Sequence, residues 1–424
     1  MEQARATGVQ VEAAPLVLLV HFGDAQFRGS ERCLLNAAKG IAECGYELVL
    51  WTNHATLAAM VAPLAREILL SDFSAPIGFG AGSGKVRSVA ALMGLIRQAR
   101  ALIRRLRPNL ILCNSLAPCQ WMIPASLLTG TPTLAYIHTS YRPKLRLLSF
   151  AYGASHLIGV SAYALQNFVR DGFPEGRFSI VYNGVDDLAE ARKGAMANMR
   201  ATLGIAENEF VIASLSALVE WKRVDLIVEA FKLASTSPGR NLTLIVVGDG
   251  PCLPRLKEAA GGARVIFCGW CDDVAAILGA ADCVVSAAEQ EAFALSLLEA
   301  ASMGVPVIGA RAGGTVEAIV DGETGLFAEP GSAASFASCM LRLRDDPELR
   351  QRLGASARQA FQERYQVRRM QRDINTLVNS YSRRERRLGE GMLARAWRLA
   401  WYSVKLSAWR VQNAWRGKPP KALT

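Results

Sequence analysis

Twelve short runs of apolar and β-branched residues, separated by segments of helical character, constrain the fold of this chain more than any other feature. In the first half they occupy residues 15–22, 46–52, 109–114, 133–139, 156–161 and 178–183. In the second they occupy 209–218, 241–248, 264–269, 283–288, 306–310 and 325–329. Strands that alternate with helices in this way build parallel, doubly wound α/β sheets, because each parallel connection must cross back over a sheet face. With 424 residues, 51 % of them hydrophobic, the chain can fill two such domains. A polar stretch at 187–209 predicts the linker, and beyond about Tyr365 the strand pattern stops and helical sequence continues.

The nine cysteines are scattered and odd in number, and the first residues, MEQARATGVQVEA, have no signal-peptide character, which predicts a reducing cytoplasmic location. Cys268-Gly-Trp-Cys271 has redox-motif spacing but follows a strand among segments of other character, so it reads as coincidence. No run reaches 18 uninterrupted apolar residues, and no membrane-spanning helix is expected. The net charge of +11 is unevenly distributed. Residues 73–170 contain 11 Lys and Arg and no acid, and residues 383–424 carry a net +9, leaving the remainder at −9. Such zones attract anionic surfaces or substrates. Nucleic acid is not the expected partner, since aromatic residues are not interleaved in the basic run 85–107.

Glu291 and Glu299 frame seven uncharged residues. On one continuous helix, eight steps rise about 12 Å and leave the ends about 80° apart around the axis. Two such acids cannot share a proton or a metal, but they can touch opposite ends of an elongated ligand. In the first half, no G-x-G-x-x-G follows the first strand, which argues against a dinucleotide-dependent dehydrogenase. Gly29-Ser30-Glu31 opens a helix there instead, where glycine permits close approach and the helix start offers N–H groups to an anion.

Residues 216–231, 244–256 and 265–330 together resemble the retaining glycosyltransferases of family four, the group 1 enzymes of GT-B fold. The first half matches more loosely, at Gly29-Ser30-Glu31-Arg32, at YIHTS and at 160–186. The resemblance implies two Rossmann-like domains facing across a cleft. An acceptor domain would span 15–190 and a nucleotide-sugar domain 205–365, with a helix at 366–382 crossing back. Residues 1–14 and 383–424 fall outside it as an extension and a basic amphipathic tail.

By the same resemblance Glu299 would accept hydrogen bonds from the ribose hydroxyls, and Glu291 would face the transferred sugar. The chain would turn from loop to helix near Phe293, aiming the N–H groups of Ala294 and Leu295 at the diphosphate of a UDP- or GDP-sugar. Lys222 aligns with a diphosphate-binding lysine, His138 with a histidine near the donor sugar, and Trp270 with the backbone that receives the base. No D-x-D occurs in the chain, so neither metal nor other cofactor is expected.

Two departures matter. Ala217 stands where the family carries an arginine, making Arg223, or Arg28 beside Gly29, the candidate replacement for that charge. The usual E-G-F-G reads Glu291-Ala292-Phe293-Ala294, a mild change. The loss of the arginine keeps an alternative open, a weakly active donor-binding pseudoenzyme serving as a membrane adaptor.

The acid-free zone suggests an anionic, lipid-linked acceptor, as in cell-surface polysaccharide synthesis. In the tail, Leu393, Trp397, Trp401, Val404, Ala408, Val411 and Trp415 recur at steps of three and four, with Arg395, Arg398, Lys405, Arg410 and Arg416 largely opposite. Leu399, Leu406 and Trp409 intrude on the basic side. Four of the eight tryptophans lie here, and with the basic residues they predict peripheral attachment to an anionic membrane.

Overall fold

The structure, a computed structural model, describes residues 14–24, 26–73, 89–189, 199–236, 241–271, 273–383, 393–402 and 404. Part of the basic run (85–88), part of the linker (190–198) and the tail positions from Lys405 onward lie outside the described residues.

Among the described residues, thirteen strands form two sheets. The first contains β1 (Leu16–His21), β2 (Glu47–Thr52), β3 (Glu67–Leu70), β4 (Leu110–Asn114), β5 (Thr133–Ile137), β6 (His156–Gly159) and β7 (Phe178–Ile180), in the order β3-β2-β1-β4-β5-β6-β7. The second contains β8 (Phe210–Leu215), β9 (Leu242–Val247), β10 (Val265–Gly269), β11 (Cys283–Ser286), β12 (Val307–Ala310) and β13 (Gly325–Ala328), in the order β10-β9-β8-β11-β12-β13. Their described pairings are parallel. Each of the twelve expected strands lies inside the run that predicts it. The thirteenth, β3, is a half-buried edge strand whose three apolar residues, Ile68–Leu70, make too short a run to announce it.

The chain divides into two compact units, one of Met1–Tyr136, Lys144–His156 and Ile374–Thr424, the other of Ile137–Pro143 and Leu157–Asp373. In the second unit, alternate residues of the central strands feed two cores. Ile212, Leu244 and Val246 pack with Val228, Phe231 and Phe336 on one face. Val211, Ala213 and Ile245 pack with Ile277, Leu297 and Ala300 on the other. A strand buried on both faces needs a continuous apolar run, which is why these strands show no polar alternation.

The helix Val367–Ser382 begins in the second unit and continues into the first, where Tyr46 Oη lies 2.7 Å from both Asn379 Oδ1 and Ser382 Oγ. Residues 393–402 are helical and also belong to the first unit. Within the described part of the tail, the basic side is not the wet side. Arg395 and Arg398 are buried, and they bind the backbone around the short helix Ala151–Gly153. Arg395 donates from Nε to Gly153 O at 2.7 Å, from Nη1 to Thr131 O at 3.1 Å and from Nη2 to Ser126 Oγ at 2.8 Å. Arg398 Nη2 donates to Ala154 O at 2.9 Å, and the Tyr402 ring stacks on Tyr152 at 4.4 Å. The intruding Leu399 belongs to this packed side, beside Gly153. Carbonyls at a helix C-terminus lack intrahelical donors, and a planar guanidinium fork can satisfy several at once.

Arg395→Ala should therefore cost about 2–4 kcal/mol, because it strands buried acceptors and empties a packed site. Trp397→Ser on the exposed side should change stability by less than about 0.5 kcal/mol. Denaturant unfolding of the two variants against the parent checks the contrast.

Candidate active site

In a parallel sheet, the loops leaving neighbouring strands in opposite directions open a crevice at their carboxyl ends. In the second unit this switch point lies between β8 and β11. The loop after β8 carries Lys222 at the end of a short 3-10 turn, Glu220–Lys222. The loop after β11 carries Glu291. The Lys222 ammonium and the Glu291 carboxylate are directly paired and mostly buried, so the pair bridges the switch point. One rung along, Arg223 Nη1 pairs with Glu289 Oε1 at 3.1 Å, and its Nε lies 3.4 Å from Asp225 Oδ1. Arg223 holds a left-handed backbone, φ +51°.

Two glycines, neither prominent in the sequence, fit these loops together. Gly314 N–H donates to Glu291 O at 2.7 Å, and a Cβ on Gly314 would fall 1.7 Å from Ala292 O. Gly248, at φ +130°, brings the loop after β9 against Ser216 O, where a Cβ would sit at 1.9 Å. Phe293 is buried and stacks on Tyr182, with ring centroids 5.2 Å apart, and Tyr365 packs against both. Directly after it the helix Leu295–Ser302 opens, with Ala294 as N-cap and no side-chain cap. The loop-to-helix change thus falls within two residues of the expected Phe293. Glu299 is buried at the fifth position of that helix, and Glu291 lies before it in the loop, so the two acids do not share one continuous helix.

Trp270 is 62 % exposed just beyond the end of β10, so its indole is not part of the core. Its neighbours Cys268 and Cys271 are both free thiols, as are the other seven cysteines. His138 also belongs to the second unit and is half-buried just past β5.

In the first unit the switch point lies between β1 and β4, whose last residues, His21 and Asn114, are register partners. Asn114 Nδ2 approaches His21 Nδ1 at 3.0 Å, and His21 Nε2 lies 3.1 Å from Glu31 Oε1. Glu31 also accepts from Arg28 N at 2.9 Å and from Ser30 Oγ at 3.0 Å. This network, which gives His21 a role its sequence did not suggest, secures the start of the helix Gly29–Glu43. Arg28 caps that helix, with its guanidinium 3.0 Å from Gln26 Oε1 and 3.6 Å from Asp24. His54 is a buried cap of the next helix, its Nδ1 accepting from Leu57 N at 3.1 Å. Arg28 and Gly29 therefore sit in one unit, and Lys222, Arg223, Glu291 and Glu299 in the other.

Two family models match the chain, "Glycosyl transferases group 1" over residues 196–360 and "Glycosyltransferase Family 4" over 27–187. The N-acetyl-alpha-D-glucosaminyl L-malate synthase of Bacillus anthracis is 31 % identical over 236 residues, covering 54 % of this chain and 61 % of that enzyme. The chain thus spans less than two thirds of the length of the curated relative. Among solved structures, Anabaena HepE in complex with UDP-glucose aligns with TM-score 0.71 at 21 % identity, over 86 % of this chain and 99 % of that one. A glycosyltransferase from Rickettsia africae aligns with TM-score 0.75 at 19 % identity, over 88 % and 100 %. Identity at that level speaks for the fold alone.

The network around Glu31 has a pH signature. Burial raises the carboxyl's pKa, but the hydrogen bond and charge of His21, with the backbone N–H groups of Glu31 and Arg28, outweigh it and hold the group at about 2 against an ordinary 4.5. A depressed folded-state pKa stabilises the protein above the unfolded value, and this stabilisation disappears as pH falls from about 4.5 to about 2. The shift is worth about 3 kcal/mol. Glu31→Gln should lower stability at neutral pH and flatten this acid-side decline, as read by unfolding midpoints across that range.

Proposed function

Because this chain belongs to the family 4, group 1 glycosyltransferases and has their GT-B fold, we propose that it transfers a sugar, with retention and without a metal, from a UDP- or GDP-sugar to an anionic, lipid-linked acceptor at a membrane surface. The observation that carries this reading is the Lys222–Glu291 pair across the switch point, followed immediately by an uncapped helix start. A leaving nucleoside diphosphate needs positive charge and N–H donors where its negative charge grows. An ammonium has three donors, so Lys222 can hold Glu291 and still reach phosphate oxygens. The first-turn N–H groups after Ala294 add the helix's positive end.

Glu291, aimed by Lys222, faces the sugar carbon that turns electron-poor, and Glu299 receives the ribose hydroxyls eight residues on. Trp270 offers an exposed indole beside the base, and His138 serves the sugar. Anabaena HepE has been solved with UDP-glucose and with UDP, which supports a uridine nucleotide here. Attachment through the tail would bring the enzyme to its acceptor at the cytoplasmic face of an anionic membrane, with no role for nucleic acid.

Glu299→Ala should weaken nucleotide binding measured by calorimetry. Glu291→Gln should slow transfer by about 10² to 10³ with a smaller effect on binding. Undiminished turnover by Glu291→Gln would reduce that residue to a loop anchor.

Ala217, in place of the family arginine, favours a second reading, a donor-binding adaptor with little catalysis. Hydrolysis of the donor without acceptor separates the two. Arg223 supplies the missing charge in our reading, with Glu289 and Asp225 holding its guanidinium. Lys222→Ala should abolish transfer. Arg223→Gly should weaken donor binding while leaving stability unchanged or raising it by about 1 kcal/mol, since glycine adopts a left-handed backbone freely. Normal donor affinity in Arg223→Gly would assign that residue to the turn alone and leave Arg28 as the candidate.

A further inference from the structure

The tail helix has two unlike sides. Arg395, Arg398, Leu399 and Tyr402, at steps of three and four, face the first unit. Leu393, Trp397, Trp401 and Val404 are exposed on the other side. The rings of Trp397 and Trp401 stack on each other at 5.6 Å, only 8° from parallel, while remaining 64 % and 52 % exposed. Two stacked indoles flanked by aliphatic side chains make a contiguous apolar patch, which chains rarely leave in water without a use. No described helix is long and apolar enough to cross a membrane.

We propose that this face docks in the plane of an anionic lipid bilayer, and that the buried arginines clamp the helix to the first unit so that the bilayer fixes the unit's orientation. It rests on the membrane part of the functional reading and not on the catalytic pair. Charge identifies the occupant. The twenty residues after Val404 contain five Lys and Arg and no acid, and Arg383–Arg387 contain four Arg and one Glu. These flanks draw the helix toward a negative surface, and indole rings favour the boundary between headgroups and acyl chains. A second copy would set the same positive segments against each other, which disfavours self-association. Labour is therefore divided within the tail. The flanks attract, the tryptophans insert, and Arg395 and Arg398, which a helical wheel would turn toward water, hold the protein.

Deleting everything beyond Ser382 would expose the carbonyls that Arg395 and Arg398 bind, so truncation damages the fold and tests little. The discriminating variant is Trp397→Ser/Trp401→Ser in the full chain, whose unfolding and donor turnover should match the parent. Flotation with phosphatidylcholine vesicles, with and without phosphatidylglycerol, reads the binding. The parent should bind the anionic vesicles, and the double variant should lose about tenfold or more in partition coefficient. Brominated lipids should quench tryptophan fluorescence in the parent and not in the variant. Equal binding by both proteins overturns the assigned face while leaving membrane attachment to another surface, with the basic run 85–107 next in line. Absence of binding by either overturns both the face and the membrane reading. A parent dimer that becomes monomeric in the variant would make the face a self-interface and overturn the proposal.

Discussion

Covering a parallel sheet on both faces leaves polar groups very few places to go. Along β8, β9 and β11 the buried side chains are apolar apart from the uncharged Ser214 and Thr243, so ionisable residues must collect where the strands end. All strands of a parallel sheet end on the same edge, and the loops diverge where the order reverses. Lys222 and Glu291 sit there in the second unit, and His21, Asn114 and Glu31 in the first. The same constraint produces different chemistry in the two places. The first unit's cluster is closed and occupied with holding a helix start, whereas the second unit's pair adjoins an uncapped helix.

That difference bears on how Lys222 and Arg223 work. Consecutive residues normally project apart, yet both reach acids two positions apart on one loop, Glu291 and Glu289. The left-handed backbone at Arg223 makes this possible by turning the chain between them. A non-glycine residue in that conformation is strained, and strain of this kind is retained where the rest of the structure over-determines it. Here two carboxylates and the start of the helix Val224–Ser235 do so. The resulting pair of cations beside an anion-ready helix is the site's electrostatic content.

Much of this was legible in the sequence, for definable reasons. Strands buried on both faces leave long apolar runs, and the half-buried β7 and β10 lie within runs of their own, whereas in Glu67–Leu70 only three apolar residues stand between Glu67 and Ser71. The loop-to-helix change near Phe293 is what the family resemblance implies, and it is found where expected. Pairings across 66 positions, such as Arg223 with Glu289, depend on loop packing set by Gly248 and Gly314, which no local pattern carries. The tail shows the opposite failure. Over Leu393–Val404 its periodicity separates two sides, but a helical wheel assigns faces by polarity and assumes that arginines seek water. The carbonyls of Tyr152, Gly153 and Ala154 reverse that assumption, since guanidinium groups are the donors those acceptors need.

The clamp also has a consequence in time. Arg395 and Arg398 close on Ser126, Thr131 and Tyr152–Ala154 of the same unit, and Val185 bridges to Gln366 in the other. Ribosomes add about 5–20 residues per second, so roughly 240 residues separate the appearance of the Gly153 carbonyl from that of its guanidinium by tens of seconds. Throughout that interval the nascent first unit holds an unfinished edge of carbonyls and the Tyr152 ring that Tyr402 will cover. Neither unit can be sealed in the order in which it is made. The first unit is completed by the helical residues 393–402, the most C-terminal helix among the described residues, long after its strands have been made.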